Sequence, residues 1–282
     1  MKFHLPVSAN EILWMLTFAG HLVVLVVLMG RDRIRRFPWF TANIVLITLR
    51  LLSARMLGGK MPQITLASIF IGLACVGAIV TAMMLVELAR KGFRGVKRTT
   101  WFLSALGLMA AGGVVLATWG DWPAWKTLTS SNAMSALQLL QLLALKASLL
   151  LDVESVLLGL VIIIFGWRYH AGWRTHVQRI AIGLATASLA QLATEAAWEI
   201  VARTAKPQSM AEYQHFMDLR GHLFDANSAV YVAVLLWWIW ALWKDEPGAA
   251  ESGKAELVTT EPATETPAAT ELPASISQPD QS

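Results

Sequence analysis

Along the chain, apolar residues run in long blocks separated by short polar turns, several of them strongly basic. A bilayer core about 30 Å thick takes roughly 20 apolar residues as an α-helix. Seven blocks meet that length, at residues 9–30, 38–57, 64–89, 99–119, 143–167, 180–203 and 220–243. The pattern predicts an all-α, polytopic integral membrane bundle of seven transmembrane helices filling residues 1–243.

The turns orient this bundle. "RDRIRRF" follows the first block, "RKGFRGVKR" the third and "RYHAGWRTHVQR" the fifth, whereas the alternate connections hold isolated cations such as Lys60 and Lys126. Short loops rich in Lys and Arg stay cytoplasmic. The N-terminus is therefore expected outside and the C-terminus inside, which requires an odd number of spans. Tryptophans follow the same frame, because amphipathic rings favour the headgroup level. Trp39, Trp101, Trp167, Trp237, Trp238, Trp240 and Trp243 fall near inner ends; Trp14, Trp119, Trp122, Trp125 and Trp198 fall toward outer ones. The first block reads as a retained helix, since its positive charge follows it, the reverse of a cleaved signal.

Composition changes the picture at one place. The chain is 56% hydrophobic and 15% charged, a membrane-protein balance. Residues 244–282 depart from it, with eight acidic and two basic residues, no aromatics and much Pro, Thr and Ala. That segment carries −6 against +10 for the remainder. It is expected to be a disordered cytoplasmic tail. No stretch remains for a folded output domain, so signalling would need a separate cytoplasmic partner. Topology and anionic lipid account for the basic turns. No nucleic-acid partner is expected, and the expected location is a plasma membrane such as the bacterial inner membrane. The lone Cys75 excludes a disulfide within the chain.

Candidate chemistry comes from charges inside the blocks. Ionisable residues in a span are costly and turn to protein or water. At 100° per residue, Asp152 and Glu154 point to nearly opposite helix faces, with Lys146 near the outer interface. Counting from the inner ends puts Arg50 in the outer half and Arg55 at the outer boundary. Gln191, Glu195, Glu199 and Arg203 recur every four residues, and Glu199 precedes Arg203 in the favourable order for a helical pair. The seventh block enters with His222, Asp225 and Asn227. The expected outer-half polar cluster is thus Arg50, Arg55, Lys146, Asp152, Glu154, Gln191, Glu195, Glu199, His222 and Asp225. Arg50 is its expected embedded partner for Asp152, Glu154 or Glu195. Such a cluster serves either as an ionic network that fixes helix register or as a pocket for a small polar or charged ligand from outside. A third use is a proton or ion path.

Small residues at four-residue spacing (Ala74, Ala78 and Ala82; Gly107 and Ala111; Ala181 and Ala185) predict close helix seams. No Gly-x-Ser-x-Gly, His-Glu-x2-His or phosphate-cradling loop is present, so an enzyme is not expected. His21 lacks a second embedded histidine at haem-binding depth and reads as a structural group. The seventh block has no lysine for a retinal Schiff base, and no cofactor or metal is expected. In topology alone the layout resembles seven-helix sensory modules of bacterial signalling proteins, which implies a receptor-like or partner-binding role. The alternative is a small transporter or an ion or proton conductor.

Overall fold

A computed structural model describes residues 9–57, 59–93, 98–118, 133–165, 175–205 and 209–245. Outside them lie Trp119, Trp122, Trp125, Trp167, much of the second and third basic turns, and all but the first two residues of the expected tail. The described residues form seven α-helices and no strand: α1 (Ala9–Gly30), α2 (Pro38–Leu57), α3 (Gln63–Gly92), α4 (Arg98–Thr118), α5 (Ala133–Phe165), α6 (His176–Thr204) and α7 (Met210–Trp243). Six of them, all but α4, are long and apolar enough to cross a membrane. By helix composition the chain is a multi-pass membrane protein.

Local chemistry sets the boundaries. After Gly30 the chain takes a left-handed residue at Asp32 (φ 49°), and the Arg33 amide donates back to Leu28 O at 2.9 Å. Pro38 then opens α2, where its missing N–H is no loss. Thr175 and Ser209 cap α6 and α7 by accepting from the amides of Gln178 and Glu212. Two helices start ten residues earlier than hydropathy places them, at 133 instead of 143 and at 210 instead of 220. Hydropathy measures what lipid tolerates, whereas a helix continues until its backbone is interrupted. Ser209 with Glu212 is a capping-box spacing that marks the true start of α7.

The helices pack in the order α1, α2, α3, α5, α6, α7 and back to α1, a closed ring across which α3 also reaches α6. α4 lies outside this ring and packs on α5 alone among the described residues. At the end where α1 finishes and α2 begins, here called the basic end, the ring is filled. Val24, Leu28, Phe40, Ile44, Met84, Leu88, Leu158, Ile162, Ile180, Leu235 and Trp238 form one buried cluster there. Trp238, expected as an interfacial anchor, is instead a core residue at 2% exposure. Its ring meets Phe40 edge-on at 5.1 Å, and its indole N–H donates to Ile180 O at 3.3 Å. Gly183 permits this, because a Cβ there would collide with the indole nitrogen. Gly159 likewise lets α5 lie against Ala181 and Ala185 of α6, the expected small-residue seam.

Polar groups lock the basic end. The Glu87 carboxylate, 8% exposed, accepts from the amides of Trp39 (3.0 Å) and Phe40 (3.3 Å), capping α2 from a neighbouring helix. Lys91 pairs with Glu87 at 2.7 Å and also donates to Arg36 O. Arg33, 5% exposed, donates to His176 Nδ1 (3.2 Å) and to Lys244 O (2.9 Å), joining three chain segments. Arg31 pairs with Asp245 at 3.0 Å.

Candidate functional site

The same helix stripes that fill the basic end change composition toward the far end. On α3 the inward stripe that reads Met84, Leu85, Leu88 continues upward as Thr81, Ala78, Gly77 and Ala74. On α2 the run Phe40, Ile44 continues as Ile47 and Arg50, and on α5 the run Leu158, Ile162 leads back to Asp152 and Ser148. Small and polar side chains cannot fill the space that Leu, Ile and Met fill below. A cleft of about 400 Å³ results, walled by α2, α3 and α5. That size falls within the range of small-molecule sites. The small residues Ala74 and Ala78, expected to form a tight seam, line this cleft instead.

The floor is polar. Thr81 donates to Asn43 Oδ1 at 3.2 Å, and the Asn43 amide nitrogen points at Met84 Sδ at 3.6 Å. Asp152 accepts from Ser188 Oγ of α6 at 2.8 Å. A Cβ at Gly92 would sit 3.4 Å from Ile162, which places those two residues at one level. Counting back 11 residues on α3 and 10 on α5 raises both Thr81 and Asp152 by about 15 Å. Asn43, Thr81 and Asp152 therefore share a level. Arg50 stands seven residues beyond Asn43 on α2, about 10 Å nearer the far end.

Of the ten residues expected to cluster, Arg50 and Asp152 line this one cleft, yet they form no ion pair. Glu154 points away from it. Its Oε1 is buried without a hydrogen-bond partner and lies against Gly112 of α4, so Arg50 is not its partner. The opposite facing of Asp152 and Glu154 thus sends one to the ring interior and the other to the α4–α5 seam.

Gln191 and Glu195 belong to a separate run on the α6–α7 side. Asn227 donates to Gln191 Oε1 (2.6 Å), and Gln191 donates to Glu195 Oε1 (2.8 Å). The Glu195 carboxylate lies close enough to Asp152 to act on its charge, which ties this run to the floor of the cleft. Glu195 has no ion pair with Arg50, because a hydrogen bond along its own helix is nearer than a cation across the ring.

The remaining residues sit elsewhere. Arg55 reaches Glu11 of α1 at 3.7 Å and lies 5.8 Å over the Trp14 ring, forming a shallow depression of about 290 Å³ with Asn10 and Met15. It does not close the rim of the main cleft. Glu199 pairs with Arg203 of its own helix at 2.8 Å, both exposed. Lys146 is half-buried on α5, six residues before Asp152. His222 is exposed and Asp225 half-buried on α7, and neither makes an ion pair among the described residues. His21 is fully buried and held by Thr17 O (2.7 Å) and the Tyr231 hydroxyl (2.9 Å).

Sequence reasoning missed Asn43, Thr81 and Ser188. Each is one of several small polar residues in its apolar block, and only Asn43, an amide within a span, stands out without a structure. Among the described residues no group of three His, Cys, Asp or Glu side chains could hold a metal ion. No family model, curated protein or solved structure matches this chain.

Proposed function

We propose that the chain is a receptor-like membrane module whose far-end cleft binds a small polar or charged ligand from outside the cell. In this reading α4 is the seventh span, the N-terminus is outside and the C-terminus inside, in a plasma membrane such as the bacterial inner membrane. The ligand signal would pass through the packed basic end to a separate cytoplasmic partner.

One observation carries the reading: an opening of about 400 Å³ with Asp152 at its floor and, on its wall, Arg50, which pairs with no carboxylate among the described residues. A purely structural network would pair the half-buried Asp152 with a cation, since a carboxylate withdrawn from solvent without one is costly, whereas Arg50 is exposed and open to a ligand. The filled basic end supports sensing over free passage, because Val24, Ile44, Met84, Leu158 and Leu235 interpose an apolar layer.

The test is access. With Cys75 replaced by serine, Ala74→Cys or Ala78→Cys would react with a membrane-impermeant thiol reagent added outside intact cells. No reaction from outside would overturn the reading. A second reading, a proton or ion conductor, draws on the Asn227–Gln191–Glu195 run beside Asp152. Flux into liposomes that disappears in Asp152→Asn would favour it; no flux in the native protein would sink it.

A further inference from the structure

We infer that the cleft takes a small zwitterion lengthwise, its cationic group at Asp152 and its anionic group at Arg50. The inference rests on the cleft being a ligand site and adds the ligand's class.

Opposite charges face one opening without meeting. Asp152 accepts a single hydrogen bond, from neutral Ser188, and no Lys or Arg pairs with it among the described residues. Glu195 nearby adds negative charge, which strengthens the pull on a cation. Arg50 donates to no partner among the described residues. A monovalent anion would satisfy Arg50 and leave the floor unmatched, and a simple amine would do the reverse. Only a ligand bearing both charges neutralises both walls, and charge-assisted hydrogen bonds are the strong ones.

The spacing selects within that class. The backbone levels of Asn43 and Arg50 differ by about 10 Å. Adjacent charges, as in an α-amino acid, would leave one end unmet. Between the two charges the walls are mostly apolar, with Ile47, Ala74, Ala78 and Leu151 and the single hydroxyl of Ser148. A methylene chain suits that stretch. The fitting chemistry is therefore an ω-amino acid or a zwitterion of similar length.

The probes are ε-aminocaproate, its two half-molecules caproate and hexylamine, and free glycine, each added to the purified full-length protein in detergent. Ligand that binds the folded state raises the unfolding temperature. The expected result is an apparent affinity for ε-aminocaproate about tenfold or more above that for either half-molecule, with no response to free glycine. Asp152→Asn should abolish the hexylamine response and keep that to caproate, and Arg50→Leu the converse. Native protein that binds caproate as tightly as ε-aminocaproate, or binds free glycine better, overturns the inference. So does silence toward every probe. If Ala74→Cys is nevertheless labelled from outside, that silence defeats only the ligand class; if it is not labelled, the cleft itself falls as a ligand site.

Discussion

Replacing Glu87 tests whether one side chain holds the basic end together. Its Oε2 accepts from two amides at the start of α2, at 3.0 and 3.3 Å, and its Oε1 pairs with Lys91. The first amides of a helix have no partner of their own, and Phe40 at 0% exposure has no water to turn to. A hydrogen bond to a charged group is worth about 1.5–3 kcal/mol, and the 3.3 Å bond belongs at the low end. Glu87→Ala should therefore cost about 3–4 kcal/mol, consistent with two such bonds. Glu87→Gln keeps a carbonyl that can accept from both amides but loses the charge, which roughly doubles such bonds, so about 1–2 kcal/mol is expected. Lys91→Ala should cost about 1 kcal/mol or less, because that pair is partly open to solvent. Reversible unfolding in mixed detergent and SDS micelles, followed by far-UV circular dichroism, measures all three. If Glu87→Ala costs no more than Lys91→Ala, the α2 amides find other acceptors and the capping argument fails. If the glutamine variant falls as far as the alanine variant, charge matters and hydrogen bonding does not.

Other outcomes follow from packing and pairing. Gly183→Ala places a methyl group against the Trp238 indole and should destabilise by about 1–3 kcal/mol, with a shifted tryptophan emission spectrum. Tyr231→Phe leaves the buried His21 Nε2 without its 2.9 Å partner and should cost about 1–3 kcal/mol in the same unfolding assay. The double variant His21→Phe, Tyr231→Phe should cost less than the sum of the single losses, because removing both polar partners leaves nothing unsatisfied. Arg203→Ala should change stability by about 0.5 kcal/mol or less, since its ion pair with Glu199 is exposed.

The linear pattern was enough to give the helices, because lipid demands long apolar runs and each helix satisfies its own backbone within its own residues. It also placed Asp152 and Glu154 on opposite faces, a consequence of helical pitch alone, and paired Glu199 with Arg203, four residues apart on one helix. Relations between helices were another matter. Arg50, Arg55 and Glu195 share a depth in the sequence, but depth is one coordinate and a contact requires azimuth as well. Ring order put α4 outside against Glu154, turned Arg55 to Glu11, and left Arg50 across an opening from Asp152. Ala74 and Ala78 show the same division: small residues allow close packing, but whether a neighbour closes in depends on what the facing helices carry. Here the halves toward the basic end carry Ile, Leu and Met and interlock, while the halves toward the far end carry Arg50, Ser148 and Asp152 and stand apart. Tertiary structure alone decided that the space between them is a cleft, since no single helix encodes the distance to its neighbours.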